Sequence, residues 1–249
     1  MNEISLKAEQ IFHINGLPVT NSLIASWVSI LVLLILALIV RFRLRLIPSK
    51  IQNVFEAVIE YFMNLMEEIY ENKEQVKKVF PWVATFFLFI LLSNWLGVLP
   101  GFGSIGLYEH INGNVVFLPF LRSANADLNT TLALAIISVM ITQIFGIVAA
   151  GFFGYFKRFI NFKGGISFFV GILEAFSEMG KIISFSFRLF GNIFAGEVLL
   201  VVISLLVPYF APLPFYFLEL FVGFIQALVF TMLTIVFIRL AFLMAEEGH

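Results

Sequence analysis

From Gly165 to Leu206 the chain runs for about 40 residues without a proline, almost entirely apolar, and in the middle of that run stands Arg188. No other feature narrows the possible folds so far. At ~1.5 Å per residue a helix of that length measures about 60 Å, twice the ~30 Å hydrocarbon thickness of a bilayer. A guanidinium stays charged at any physiological pH, and placing one at the bilayer centre costs roughly 3 kcal/mol on insertion scales. Such a residue needs a partner.

The rest of the chain has the same character. It is 61% hydrophobic and 12% charged, with 32 phenylalanines, whereas soluble domains carry roughly 25% charged residues. These values describe a polytopic membrane protein, and 249 residues accommodate about five spans. The absence of cysteine excludes disulfides and thiolate metal sites. A net charge of -1 excludes the broad basic surface that nucleic acid would need.

The expected fold is all-α: five membrane-embedded helices in one integral membrane domain, residues 1–249, plus one interfacial amphipathic helix. The spans are expected at 22–44, 80–99, 128–154, 165–206 and 215–244. Positive charge follows the first span (Arg41, Arg43, Arg45, Lys50) rather than preceding it. That pattern indicates a retained span, with the N-terminus outside and the arginine cluster cytoplasmic. Between 50 and 78, Val54, Val58, Phe62, Leu65, Ile69 and Val76 recur at helical spacing while Glu56, Glu60, Glu67, Glu68, Glu71 and Lys73 take other faces; this segment should lie on the membrane. The second span ends at Leu99-Pro100-Gly101, a loop rich in Gly, Pro and Asn follows outside, and the third span ends at Lys157, Arg158 and Lys163. No internal repeat is visible.

The long run admits two readings: two vertical spans joined near Gly191, or one strongly tilted helix. Two spans place the loop 208–214 inside, although it has no positive charge, and Arg239 outside. One tilted helix leaves the loop outside and Arg239 and the C-terminus cytoplasmic, which the positive-inside rule favours.

Along that helix the polar residues are ordered. At ~100° per residue, Ser177, Lys181, Ser184, Arg188 and Asn192 share one narrow stripe, which Ala195 continues. Glu197 points about 180° away from Arg188, so the two cannot pair on one helix face. Glu174 is on the right side but more than about 20 Å distant, and Lys181 adds positive charge. Arg188 therefore awaits a carboxylate from another chain. In the last span Glu219 and Gln226, seven apart, share a face. An antiparallel hairpin brings Glu197 and Glu219 to similar depth, where with Asp127 and Asn129 they line an outer path. Glu174, Ser177, Glu178, Lys181 and Ser184 line an inner one.

These residues carry a resemblance. Ser184-Phe-Ser-Phe-Arg188-Leu-Phe-Gly-Asn192, followed by Ala195-Gly-Glu197, is similar to the signature of subunit a of F-type ATP synthases. Ile172-Leu-Glu174, Gln226-Ala-Leu-Val-Phe-Thr-Met-Leu-Thr, Asp127-Leu-Asn129-Thr-Thr-Leu-Ala-Leu and the tail Ala245-Glu-Glu-Gly-His249 extend it over essentially the whole chain. The resemblance implies two long tilted helices wrapping a ring of c subunits, with peripheral-stalk b subunits and membrane lipids as further partners. It implies a non-catalytic subunit of a bacterial inner-membrane complex, with no cofactor, no metal, no nucleic acid and no catalytic residue of its own.

It also implies a mechanism. An ion enters one half-channel, neutralises a ring carboxylate, travels with the ring and leaves by the other half-channel. Arg188, Asn192, Glu197, Glu219 and Gln226 would serve the translocation, and Arg188 would separate the paths. Several family members carry a histidine where this chain has Glu219, and none of His13, His110 or His249 lies in a span. A carboxylate and water relay takes its place, in which Glu197 and Glu219 share one proton if they meet. The ion is expected to be H⁺, with Na⁺ as the alternative. A secondary transporter would show repeats with broken helices at its midplane site. A membrane scaffold would tolerate loss of Arg188 and Glu197.

Overall fold

A computed structural model of the chain describes residues 8–14, 16–42, 50–70, 72–99, 101–103, 105–111, 114–159, 165–208 and 210–247. Strands β1 (Gln10–Ile14) and β2 (Leu17–Thr20) lead into helix α1 (Asn21–Phe42), then α2 (Lys50–Ile69) and α3 (Lys73–Val98). Strands β3 (Gly106–Ile111) and β4 (Asn114–Pro119) follow, with a 3-10 turn at Ala124–Ala126. The chain continues through α4 (Leu128–Ala150), α5 (Phe152–Phe159), α6 (Gly165–Leu206) and α7 (Pro212–Glu247). Helices α1, α3, α4, α6 and α7 are long and apolar enough to cross a membrane. The protein is an all-α, multi-pass membrane protein.

The 42 residues of α6 form one helix, unbroken at Gly191, so the two-span alternative falls. Other boundaries differ from expectation. Residues 50–78 are not one helix: α2 stops at Ile69, and Asn72 caps a new helix by accepting the Glu74 N–H at 2.9 Å. An Asn ahead of a first-turn acid is a helix-start signal, and the apolar periodicity across it hides the break. The third span ends at Ala150, short of 154. Gly151 takes φ +73°, a left-handed conformation that glycine adopts freely, and α5 folds back so that Tyr155 rests on Gly146. Two antiparallel hairpins form, β3–β4 where a loop was expected and β1–β2 ahead of the first span, for which the sequence carried no expectation. Arg43, Arg45, Pro100, Lys163 and His249 lie outside the described residues.

In lipid, helices associate through close packing and hydrogen bonds rather than through the hydrophobic effect, and this bundle uses both. Phe185 of α6 meets Phe230 of α7 with ring centroids 4.9 Å apart, and Phe86 of α3 meets the same ring at 5.6 Å. Ser138 of α4 bonds Thr234 of α7 (2.8 Å), and Thr131 of α4 bonds Ser186 of α6 (3.2 Å). Asn94 of α3 donates to the Gly223 carbonyl (2.9 Å) and accepts from Asn125 (2.7 Å). Tyr70, after α2, donates to the Ile235 carbonyl at 2.9 Å, with Arg239 over its ring. Helix α7 is thus held on several sides. Helix α6 keeps an open face carrying Phe176, Ile183 and Phe187.

Candidate ion path

Arg188 lies on the open face of α6. Its Nη2 donates to Ser184 Oγ, one turn back, at 3.1 Å. No carboxylate of the described residues is within ion-pair distance of it. One turn onward, Asn192 Nδ2 donates to Gln226 Oε1 at 2.6 Å, fastening the stripe to the middle of α7. The polar stripe and the Gln226 face thus meet beside a guanidinium whose hydrogen-bond partner among the described residues is a hydroxyl.

Towards the α2 end, Lys181 is not the surplus positive charge expected from sequence. Its Nζ pairs with Glu178 Oε1 at 2.7 Å and lies 4.5 Å from the centre of the Phe237 ring. The other Glu178 oxygen accepts from Gln143 Nε2 at 2.9 Å, and the Tyr155 hydroxyl donates to Gln143 Oε1. Glu174 is half-buried and Ser177 exposed on the same stretch. Gln143 and Tyr155 were not read from the sequence. Nothing there shows that the turn at Gly151 would bring a tyrosine back onto α4.

Towards the hairpin end, Glu197 has a partner the sequence reading missed. Arg122 grips it with Nε 3.1 and 3.2 Å from the two carboxylate oxygens and Nη2 3.1 Å from Oε2. Arg122 is 8% exposed. Ionised pairs with forked geometry are the strong ones, and breaking a buried one leaves a stranded charge. A lone arginine in a loop otherwise poor in positive charge was the available signal.

Glu219 is buried deeper, at 5% exposed, and its carboxyl lies directly over Gly196. A Cβ at Gly196 would stand 1.8 Å from Oε2 and 2.1 Å from Oε1, so only glycine leaves room for it. Glu219 Oε1 is buried without a hydrogen-bond partner among the described residues. Asp127 has a different local task. It caps α4 through the Asn129 N–H (3.0 Å), holds the Asn129 amide (3.2 Å) and accepts from Ser22 Oγ of α1 (2.8 Å). The structure brings Glu219 to Gly196, next to Glu197, and ties Asp127 and Asn129 to each other and to α1. No group of three or more His, Asp or Glu among the described residues is placed to hold a metal ion.

A family profile described as ATP synthase A chain matches residues 23–239, from α1 to Arg239 of α7. The chain belongs to the ATP synthase A chain family. Relatives match the chain over most of their own length. The ATP synthase subunit a of Moorella thermoacetica is 33% identical over 229 residues, 92% of this chain and 94% of the relative. That of Campylobacter jejuni subsp. doylei is 35% identical over 219 residues, 88% of each chain. That of Trichlorobacter lovleyi is 32% identical over 246 residues, 99% of this chain and 96% of the relative. Within the ATP synthase A chain family, then, this member carries an exposed arginine at the centre of α6 and ion pairs towards both ends of the same helix.

Proposed function

We propose that the chain is the ion-translocating, non-catalytic stator subunit of a rotary ATP synthase, its subunit a. One observation carries the reading: a permanent cation at mid-helix, on an open apolar face, with no carboxylate of the described residues within reach. A partner that supplies carboxylates one at a time, a ring of c subunits, resolves that cost. Opposite charge favours the ionised carboxylate as it passes. Arg188 thereby strips the proton from a ring carboxylate on one side and keeps the two paths from joining. The Ser184 bond and the Asn192–Gln226 bridge hold the stripe in register with the passing ring.

The outer path runs by Asp127, Asn129, Glu197 and Glu219, and the inner path by Glu174, Ser177, Lys181 and Ser184. Glu197 and Glu219 share a proton in this reading, since two neighbouring carboxylates, one half-buried and one buried, do not both ionise freely. Helices α6 and α7 lie tilted along the ring, and α2 lies in the interface with its acidic face towards water. The N-terminus is outside and the C-terminus cytoplasmic, in a bacterial inner membrane, with peripheral-stalk b subunits as further partners. The ion is H⁺.

The deciding experiment measures ATP-driven pumping by the assembled complex in inverted membrane vesicles. Arg188→Ala and Arg188→Lys should each abolish it while complex content is unchanged. Wild-type pumping by either variant refutes the reading. Pumping that requires Na⁺ and persists with a protonophore assigns Na⁺ instead.

A further inference from the structure

Besides Asp127, which caps α4, the hairpin end of the bundle gathers one cation and three carboxylates, and one of the three is an acid that the path above does not use. The additional acid is Glu9, in the arm ahead of β1. Its carbonyl accepts the Asn21 N–H at 3.1 Å, which folds the arm onto the start of α1, and neighbouring Ala8 is buried. The Glu9 side chain is half-buried, and its Oε2 is buried without a hydrogen-bond partner among the described residues. It lies close enough to Arg122 and Glu197 to feel both charges. Glu219, buried over Gly196 and so beside Glu197, likewise has an oxygen without a partner among the described residues.

If all four groups were ionised, the cluster would carry one positive and three negative charges, a net of -2. Like charges gathered in a partly buried site take up protons until the excess is relieved. Among the described residues, the other elements packed here add no counter-ion. Helix α1 contributes Asn21 and Ser22, α3 contributes Asn94, the turn contributes Asn125, and Asp127 is already bound by Ser22 and Asn129.

We propose that Arg122 and Glu9 complete, with Glu197 and Glu219, a proton-loading cluster at the mouth of the outer path. Arg122 is its permanent counter-ion, and Glu9 is the carboxyl that exchanges protons with the aqueous side. This rests on the outer-path reading above. A proton from water binds the Glu9 carboxylate. It passes to Glu197, which releases the guanidinium as it is neutralised, and Arg122 turns to the carboxylate that Glu9 has become. The proton moves on to Glu219, Glu197 is again ionised, and the guanidinium returns to it. Each transfer moves one proton and leaves one new carboxylate for Arg122 to face.

The test is ATP synthesis by the intact complex in proteoliposomes at a fixed driving force, with the pH of the outer compartment varied. Removing an opposite charge at this distance moves carboxylate titrations by about one to three pH units. Arg122→Gln should therefore lower the rate about tenfold or more and move the outer-pH profile to higher pH, since the remaining acids hold their protons more tightly. Glu9→Gln, which removes the loading carboxyl and one negative charge, should lower the rate and move the profile to lower pH, and the profile of the double variant should lie between the two. If Arg122→Gln does not assemble, Glu9→Gln alone decides, and an unmoved profile overturns the proposal. A loss of rate with Arg122→Gln that leaves the profile in place also overturns it, and assigns Arg122 to holding the loop alone. Arg188→Ala is run beside them. If that variant still synthesises ATP, the ion-path reading itself fails; if it is dead while the profiles stay fixed, only the loading cluster fails.

Discussion

Replacing Gly196 by alanine tests the placement of Glu219 more sharply than replacing Glu219 itself. The new Cβ would stand 1.8 Å from Oε2, and ordinary contact begins at 3.4 Å, so the carboxyl must retreat by 3.4 − 1.8 = 1.6 Å. What is displaced is the end of a side chain, not backbone. The cost to stability is therefore that of an altered rotamer, about 0.5–1.5 kcal/mol, and the complex should assemble. The cost to transport is larger. Proton transfer needs partners within about 3.2 Å, and misplacement by about 1 Å can cost a hundredfold in rate. Gly196→Ala should therefore lower ATP-driven pumping in inverted vesicles by at least about tenfold at normal complex content, measured by blotting the same membranes. Shortening Glu219 by one methylene retracts the carboxyl by up to about 1.5 Å, one C–C bond, close to the required distance. Gly196→Ala combined with Glu219→Asp should thus recover much of the lost rate, whereas Glu219→Asp alone leaves a gap and should pump poorly. Wild-type pumping by Gly196→Ala, or no recovery in the double variant, would refute the reasoning.

Other expectations can be measured separately. Burial raises the Glu9 carboxyl above its usual range, with the neighbouring Glu197 charge adding to the rise and Arg122 opposing it. A raised acid favours the docked arm while protonated, and that contribution is lost as pH rises through and above the ordinary carboxylate range. Hydrogen exchange at the Asn21 N–H, which the arm covers, should accelerate over that interval, and Glu9→Gln should flatten the dependence. A Cβ at Gly97 would stand 2.3 Å from Ser123 Cβ and 2.9 Å from its Cα. Because backbone is involved, Gly97→Ala should destabilise by about 1–3 kcal/mol, seen as a lower melting temperature of the detergent-solubilised complex. Asn72→Ala removes the cap of α3 and should cost about 1 kcal/mol in the same measurement, with pumping per assembled complex unchanged.

The membrane spans were legible because hydropathy and charge are summed over many residues, so small errors cancel. The continuity of α6 was legible from the lack of proline and the distribution of Arg and Lys. The stripe through Ser184, Arg188 and Asn192 followed from helical periodicity, and in the structure its members bond to one another or to Gln226. Contacts between distant segments were not legible. Arg122 and Glu197 are 75 residues apart, and no periodicity links a loop to a helix. Glu178 and Lys181 are only three apart, but judging Lys181 by net charge alone concealed that pairing. The break at Asn72 was missed for a related reason. Apolar spacing continued across it, and a single capping residue weighs little against a long periodic run.

The continuity of α6 also makes it a ruler. Glu178 and Glu197, anchored by Lys181 and Arg122, are 19 residues apart on it, about 28 Å at 1.5 Å per residue. That is nearly the ~30 Å depth of the hydrocarbon core. The separation is fixed by main-chain hydrogen bonds within one rod, so side-chain repacking cannot draw the two stations together. Inserting one residue between them would lengthen the rod by only ~1.5 Å but turn one station ~100° relative to the other. In such a rod, rotational phase is the quantity that has to be kept.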